Sequence, residues 1–179
     1  MPQFVVLLRG VNVGKGNRVA MAQFRQLLEE LGYGDVRTLL NSGNAVFTSK
    51  GRSVARHSQA VADALREKAA ISVPVIVMSA SDFTAAIGEN PAVPDEEHHS
   101  SFLVAFGQSD GALQGLQGLI PLVGAKEHFS IGPRAAYLRC SPGILESQAA
   151  AALLGKIGRA VTTRNWATVL KLQKLLEAA

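Results

Sequence analysis

The fold is decided by residues 4–48, FVVLLRGVNVGKGNRVAMAQFRQLLEELGYGDVRTLLNSGNAVFT. The segment begins with five apolar residues, as expected of a strand that is buried on both faces. After a loop rich in glycine and asparagine, apolar residues recur at helical spacing until Gly32, which predicts the end of a helix. Two β-rich runs then flank residues 41–44, NSGN, a sequence typical of a tight hairpin turn. The predicted order is strand, helix, strand, strand.

The chain completes this unit and then repeats its order. A second helix and a fourth strand, which ends at residue 78, complete a first βαββαβ unit. A stretch rich in proline and acidic residues, 89–99, is the best candidate for a linker. Strands and helices then recur in the same order, and the first helix of this repeat, which is dotted with glycines, is predicted to end at Pro121. An additional C-terminal helix is predicted over 165–176. The pattern predicts an α+β protein of two ferredoxin-like (α-β plait, βαββαβ) subdomains, 1–90 and 91–179.

Composition narrows the class of protein. Hydrophobic residues make up 47% and charged residues 18% of the 179 residues, so the chain can bury a core. No apolar run approaches the roughly 20 residues of a membrane helix, and we expect no membrane partner. The apolar N-terminal run is followed at once by Arg9 and lacks a cleavage signal, so we expect no signal peptide. Because Cys140 is the one cysteine, no internal disulfide can form, and a cytoplasmic location fits best.

Basic residues are concentrated in the first part of the chain. The net charge is +4, and residues 1–70 hold ten Lys and Arg against five Asp and Glu. Residues 71–179 hold eight basic residues against nine acidic ones. A basic bias of this kind attracts phosphate groups. A solvated surface that happens to be basic explains it equally well, so the bias alone assigns no partner.

The loop 9–17, RGVNVGKGN, is the most informative segment for function. It joins a strand to a helix, its three glycines permit tight turns, and amides at a helix N-terminus suit an anion. It is one residue too short for a phosphate loop of an NTPase and has Gly16 where Ser or Thr would bind magnesium, which excludes that assignment. The alternative is a purely structural connection with Asn17 near the helix start. The candidate ligand-binding residues in this loop are Arg9, Asn12, Gly14, Lys15 and Asn17.

Topology predicts that this loop meets the turn 41–44. In a βαββαβ unit with right-handed crossovers, the third strand lies between the first and the second. The end of the first strand and the turn between the second and third strands then share one edge of the sheet, which we call the loop–turn edge (residues 9–17 and 41–44). Asn41, Ser42 and Asn44 therefore join the candidate ligand-binding residues. Since Asn and Gly tolerate the positive φ angles of tight turns, these residues have an equally good structural explanation.

A polar motif, TTRNW at residues 162–166, precedes the last helix. Thr163 or Asn165 can cap that helix, and Trp166 is expected in the core. A cation in the first turn of a helix opposes the helix dipole, so Arg164 indicates a salt bridge or a ligand contact, of which we favour the salt bridge. Arg164 and Asn165 complete the set of candidate ligand-binding residues.

Catalytic and metal-binding patterns are weak. The adjacent histidines of the run 96–99, EEHH, would point in opposite directions on an extended chain, so the run suits a solvated linker better than a metal site. Cys140 is expected to be buried, and a nucleophile–base pair with His128 lacks a third member. We expect no metal and no cofactor, and the catalytic residues are unassigned.

The motifs resemble those of domain-of-unknown-function family 1697, whose members are uncharacterised bacterial proteins. The resemblance rests on residues 8–14, LRGVNVG, on 41–47, NSGNAVF, and on 162–169, TTRNWATV. The family implies a compact protein of two α-β plait subdomains and brings no established activity, substrate or cofactor. The chain departs from the family at Asn41, where Gln is more usual, and at Gln148, where Lys is common. The signature positions of the family correspond here to Arg9, Gly10, Asn12, Gly14, Asn17, Ser42, Gly43, Asn44, Thr163, Arg164, Asn165 and Trp166.

Three hypotheses for function are open. The first is a module that binds a phosphate-bearing small ligand or nucleotide at the loop–turn edge. Nucleic acid is a weaker candidate, because only Phe4 and Phe47 are aromatic on the strands of the first unit. The second is an enzyme of unknown reaction at the same edge, which would need a base such as His128 or Asp110 from outside the motifs. The third is a protein-interaction module whose polar motifs serve as turns and caps.

Overall fold

The computed structural model describes residues 1–178. The chain folds as two compact units, the first comprising residues 1–83 together with the chain from Lys171 onward, and the second comprising Thr84–Leu170. The first unit therefore takes in a C-terminal segment that lies far away in the sequence. Its remaining elements are β1 (Gln3–Leu8), α1 (Met21–Glu30), β2 (Gly34–Leu39), β3 (Asn44–Thr48), α2 (Val54–Ala69) and β4 (Val75–Ser79).

The first unit is built on an antiparallel sheet with the strand order β2-β3-β1-β4. As the crossover rule predicts, β3 lies between β2 and β1. The register pairs Leu7 with Asn44 and Leu8 with Val75. The end of β1 therefore lies beside the start of β3 and the start of β4, and the loop after β1 emerges next to the turn that leads into β3.

Alternate side chains of β1 face α1 and α2. Phe4, Val6 and Leu8 belong to one buried apolar cluster with residues of both helices, including Phe24 and Leu65. This alternation follows from the two-residue side-chain period of a strand. The core of the first unit thus lies between its sheet and its two helices.

The opposite face of the same sheet is also buried. Val5 and Leu7 of β1 are inaccessible to solvent, and the neighbouring strands contribute Val46, Ile76 and Met78, each less than 9% exposed. This burial explains why β1 is apolar from Phe4 to Leu8 instead of alternating with polar residues.

Along the chain after β4 come α3 (Ala80–Gly88), a 3-10 turn (Glu96–Ser101), β5 (Phe102–Gly107), α4 (Asp110–Gln114), a second 3-10 turn (Gly115–Leu122), β6 (His128–Ile131), β7 (Ala136–Arg139), α5 (Gln148–Leu154), β8 (Val161–Asn165) and α6 (Trp166–Glu177). The second unit repeats the architecture of the first, with the strand order β6-β7-β5-β8. Its core is formed by one face of the sheet with α4, α5 and the second 3-10 turn, and includes Leu103, Leu116, Leu138 and Leu153.

Two local expectations are wrong in detail. The helix expected up to Pro121 is an α-helix of only five residues, α4, followed by a 3-10 turn. Glycine lowers helix propensity, and the interior Pro121 lacks the amide that an α-helix requires, so a tighter turn is formed instead. The run 96–99 lies in a 3-10 turn rather than on an extended linker.

The predicted fold class is confirmed. Two four-stranded antiparallel sheets, each with helices, are consistent with two ferredoxin-like subdomains and an additional C-terminal helix. Trp166 lies in the core, 2% exposed, and packs edge-on against Phe102 with ring centroids 5.7 Å apart. Within residues 1–178, no helix has the length and apolar character required to cross a membrane.

Candidate functional site

The loop and the turn of the loop–turn edge are in direct contact. Nδ2 of Asn12 donates to the carbonyl oxygen of Asn41 at 2.7 Å, and the amide of Leu8 donates to the carbonyl of Gly43 at 2.9 Å. The convergence predicted from topology is therefore confirmed, although the two segments lie about 30 residues apart in the sequence. These hydrogen bonds hold the loop and the end of β1 against the turn.

Asn12 joins three segments of backbone through one side chain. Its Oδ1 accepts from the amide of Val19 at 3.0 Å, and its Nδ2 donates to the carbonyl of Val19 at 2.7 Å as well as to Asn41. Its backbone is left-handed, with φ 57°, a conformation that Asn adopts more readily than most residues. The side chain of Asn12 thus fixes the base of the loop to the turn.

The turn itself is held by buried polar groups. Asn44 is fully buried and its Nδ2 donates to the carbonyl of Leu39 and to Oγ of Ser42, both at 3.0 Å. Gly43 has φ 85°, and a Cβ atom at this position would lie 2.6 Å from Cβ of Leu8. Ser42, Gly43 and Asn44 therefore build the turn and seat it on the end of β1.

The outer part of the loop is exposed and basic. The amide of Asn12 donates to the carbonyl of Asn17 at 2.8 Å, and this hydrogen bond closes the loop around residues 13–16. Gly14, Lys15 and Asn17 are all exposed, and the guanidinium of Arg18 donates to the carbonyl of Gly14. Of the predicted residues on the loop, Lys15 and Asn17 are thus the ones whose side chains the fold presents to solvent, together with the backbone of Gly14.

Arg9 lies at the inner end of the loop and is partly buried. Its amide donates to the carbonyl of Pro74 at 3.1 Å, which fixes the backbone beside the start of β4. Burial lowers the pKa of its guanidinium from the ordinary value. An arginine nevertheless keeps its charge at neutral pH, so the edge carries a cation that has lost part of its hydration.

Helix α1 begins at this edge without a side-chain cap. Ala20 occupies its N-cap position and has no acceptor to offer, and no acidic residue lies in the first turn. The N-termini of α2, α4 and α5 are instead capped by Ser53, Ser109 and Ser147. The first-turn amides of an α-helix have no partner within the helix, and they carry its positive dipole end. The edge therefore combines cations with the uncapped end of a helix.

Arg164 and Asn165 lie in the second unit. Arg164 is on β8 rather than in the first turn of α6, so the expected conflict with the helix dipole does not arise. Its Nη1 donates to Oγ1 of Thr162 and to the carbonyl of Thr163, both at 2.7 Å, and burial lowers its pKa to about 10. Asn165 caps α6 as expected, accepting from the amide of Thr168 at 2.9 Å. The salt bridge expected for Arg164 stays a prediction.

The other candidate reactive groups, Cys140, His128 and Asp110, lie in the second unit. Cys140 is buried as predicted, 3% exposed, and burial raises the pKa of its thiol to about 11, so the nucleophilic thiolate is disfavoured. His128 is exposed on β6, where it pairs with Arg139 of β7. Asp110 begins α4. The structure thus gives Cys140 the role of a core residue.

Three side chains of the second unit could hold a metal ion. Donor atoms of Asp95, Glu97 and His98 all lie within 4.8 Å of one another, and the two carboxylates are exposed. Nδ1 of His98 lies 3.8 Å from Oε1 of Glu97. Exposed acidic groups adopt such arrangements without an ion, so this geometry by itself assigns no metal.

A surface cavity of about 510 Å³ on the first unit differs from the loop–turn edge in its charge. It is lined by Arg25, Glu29, Asp35 and Arg37 among others, so two cations face two carboxylates. The loop–turn edge contains Arg9 and Lys15 and has no acidic residue in either segment. The edge is therefore the more selective surface for an anion.

Sequence reasoning missed one residue of this edge, Val13, and one that adjoins it, Leu40. Val13 and Leu40 are large hydrophobic residues that remain 59% and 52% exposed. Val13 follows Asn12, and Leu40 precedes Asn41, so each adjoins one end of the hydrogen bond that joins loop and turn. The only signal in the sequence was their position beside turn residues, since an apolar side chain in a loop can be buried or exposed.

Comparison with known proteins identifies the family and the fold. A conserved bacterial protein, SP0830 from Streptococcus pneumoniae, has a similar structure, with a TM-score of 0.78 and 24% sequence identity over 98% of both chains. That likeness supports the fold alone. No curated protein matches the chain. The family model described as "Protein of unknown function (DUF1697)" matches residues 1–137. The chain therefore belongs to the DUF1697 family.

Proposed function

We propose that the protein is a binding module for a phosphate-bearing small ligand or nucleotide, and that the loop–turn edge is its binding site. The observation that carries the proposal is the hydrogen bond from Asn12 to Asn41, which joins the basic loop to the turn. Arg9 and Lys15 supply positive charge there, and α1 begins at Met21, shortly after the loop, without a side-chain cap. Cations and helix N-termini are the groups that proteins use to bind phosphate.

The candidate residues have two different proposed roles, one structural and one in ligand contact. The side chains of Asn12 and Asn44 make hydrogen bonds within the edge, so we assign them to holding its shape. Arg9, Lys15 and Asn17, with the backbone at Gly14, are the proposed ligand contacts. Asn41, Ser42, Arg164 and Asn165 remain candidates from the sequence.

A small ligand fits this edge better than single-stranded nucleic acid does. Nucleic-acid-binding plaits stack bases on aromatic side chains of an open sheet face. Here Phe4 and Phe47 are each 1% exposed and belong to the cluster that faces the helices. Since the opposite face of the sheet is buried as well, the proposal places the ligand at the end of the strands.

Binding is favoured over catalysis by what the two segments contain. Residues 9–17 and 41–44 include no Asp, Glu, His or Cys, so they offer no general base or nucleophile. An enzyme at this edge would need such a group from elsewhere in the protein or from its ligand. A broad screen for turnover of metabolites tests that alternative, and activity that depends on Arg9 or Lys15 would favour it.

The test is calorimetric titration with inorganic phosphate, pyrophosphate and a panel of nucleotides. We expect micromolar to millimolar binding to at least one of them and a loss of about tenfold or more in the Arg9→Ala, Lys15→Ala double variant, because hydrogen bonds between charged groups contribute about 1.5–3 kcal/mol each. Lys15→Ala alone, at an exposed position, tests the site without affecting the core. Affinity should also fall as salt is raised.

The matched control removes two cations from the other end of the same sheet. Lys50 and Arg52 follow β3 beyond Thr48, which pairs with Gln3 at the start of β1, and both are exposed. The Lys50→Ala, Arg52→Ala double variant loses the same charge and should bind as the wild type does. The proposal fails if the wild type binds no compound of the panel, or if the control loses as much affinity as the site variant.

The setting that we propose for this function is the cytoplasm of a bacterium. Cys140, the one cysteine, is a buried free thiol, as suits a reducing compartment. The structurally similar protein is bacterial. Cell fractionation of the native producer tests the location, and recovery of the protein in an oxidising or extracellular fraction would contradict it.

A further inference from the structure

We infer that the loop–turn edge selects a nucleotide over simpler phosphates, and that Val13 and Leu40 contact the base. This inference rests on the proposed function, because it adds a specificity element to that phosphate site. Val13 and Leu40 are 59% and 52% exposed. A bare phosphate would leave both side chains in water, whereas a ligand with an apolar ring next to its phosphate would cover them.

The position of the two side chains follows from the hydrogen bond between loop and turn. Nδ2 of Asn12 lies 2.7 Å from the carbonyl oxygen of Asn41. Val13 directly follows Asn12 in the chain, and Leu40 directly precedes Asn41. Consecutive Cα atoms are only about 3.8 Å apart. Val13 therefore adjoins the loop end of this hydrogen bond, and Leu40 adjoins its turn end. Lys15 lies two residues beyond Val13 in the sequence.

The backbone of Leu40 supports a role for its side chain. Leu40 has φ 56°, in the left-handed region, where a bulky residue without a local hydrogen-bonding group is unusual. Glycine or asparagine would fit this turn position with less strain. Half of the leucine side chain is nevertheless exposed, so burial in the core does not compensate for the strain. Backbone strain of this kind concentrates at functional sites.

The charged and apolar groups of the edge together favour a nucleoside monophosphate as the ligand. Lys15 and Arg9 provide positive charge for a phosphate, and the two aliphatic side chains provide a small apolar surface beside it. Because both side chains are exposed, they suit one face of a flat ring, which needs contact on a single side. A nucleoside monophosphate joins a phosphate to such a ring within one small molecule.

The experiment compares three probes: inorganic phosphate, ribose 5-phosphate and a series of nucleoside monophosphates. We expect the best nucleoside monophosphate to bind the wild type about tenfold more tightly than ribose 5-phosphate does. Leu40→Gly removes the apolar side chain at a position whose φ suits glycine. It should weaken nucleotide binding about fivefold to tenfold, because the apolar contact with the base is lost, and leave binding of ribose 5-phosphate unchanged.

A control substitution tests whether any exposed aliphatic residue has the same effect. Val93 is 65% exposed and lies in the second unit, so Val93→Ala should leave binding of all three probes unchanged. Thermal unfolding of Leu40→Gly should occur at or above the wild-type temperature, which shows that lost affinity does not come from lost folding.

The possible outcomes distinguish failure of this inference from failure of the proposed phosphate-binding function. If ribose 5-phosphate binds as tightly as the nucleotides, or if Leu40→Gly weakens both equally, the inference is overturned and the phosphate site stands. If no phosphate compound binds, both are overturned. Binding to vesicles of anionic lipid that Leu40→Gly abolishes, without nucleotide binding, would assign Val13 and Leu40 to a membrane surface and overturn the inference as well.

Discussion

Replacement of Gly43 by alanine tests how the turn is seated on the end of β1. Gly43 has φ 85°, and an added Cβ would lie 2.6 Å from Cβ of Leu8 and 2.9 Å from Cγ2 of Val11. Both neighbours are buried core residues, at most 1% exposed, so neither can move aside easily. The substitution therefore combines an unfavourable backbone conformation with a steric conflict.

The two effects can be estimated separately. Placing an L-residue in the left-handed region costs about 1–2 kcal/mol, and inserting an extra carbon into a packed core costs about 1–3 kcal/mol more. The lower entropy of the unfolded alanine variant returns about 0.4–1 kcal/mol. We therefore expect Gly43→Ala to lower the free energy of unfolding by about 2–4 kcal/mol, and the melting temperature by about 2–4 °C for each of these kcal/mol.

Gly10→Ala is the matched control. Gly10 has φ 68°, so the backbone cost is similar, but a Cβ atom there would meet nothing within 4 Å. Its expected loss is about 1 kcal/mol or less. Urea unfolding followed by circular dichroism measures both variants, and unchanged m-values would confirm that the same transition is compared. Equal losses for the two variants would refute the argument, because they would show that Leu8 and Val11 impose no steric limit.

Four further predictions concern three residues of the second unit. The hydroxyl of buried Tyr137 donates to the carbonyl of Ala86 at 2.5 Å, so Tyr137→Phe should cost about 1–2 kcal/mol in urea unfolding. Burial, with the charge of Glu89, raises the pKa of Tyr137 to about 12. Stability contributed by this group should therefore hold below pH 10 and be lost as pH rises through 12. Ultraviolet titration, with the Phe variant as control, measures the ionisation of Tyr137 on which this prediction depends. The Cys140 thiol should react with a thiol reagent far more slowly in the native protein than in urea, and equal rates would contradict its burial. Gly158→Ala should destabilise by more than about 3 kcal/mol, because its Cβ would lie 1.7 Å from the carbonyl oxygen of Leu153.

Local patterns predicted most of the fold, because the signals involved are short-range. Alternation, helical spacing and the turn residues of the segment 4–48 depend on neighbouring residues, and the structure confirms the strands, helices and hairpin there. The strand order followed from a general rule of chain connection. Where several weak signals compete, as in the glycine-dotted segment before Pro121, the prediction of a full helix was wrong.

The candidate site was predictable in part. Topology alone predicts that the loop 9–17 and the turn 41–44 meet, and the hydrogen bond between Asn12 and Asn41 confirms that contact. The sequence does not predict which polar side chains make hydrogen bonds within the protein and which face solvent. Hydrogen-bond partners such as the carbonyls of Val19 and Leu39 become available only when distant segments have reached their places.

Residue patterns alone predict the two βαββαβ units, the basic loop and its contact with the turn, because periodicity and the rules of chain connection can be read from the order of residues. Three other features depend on packing across the chain: the C-terminal segment from Lys171 belongs to the first unit, Arg164 is buried on a strand, and Val13 and Leu40 remain exposed. Burial depends on which surfaces pack together across the whole chain, and no local pattern of residues carries that information.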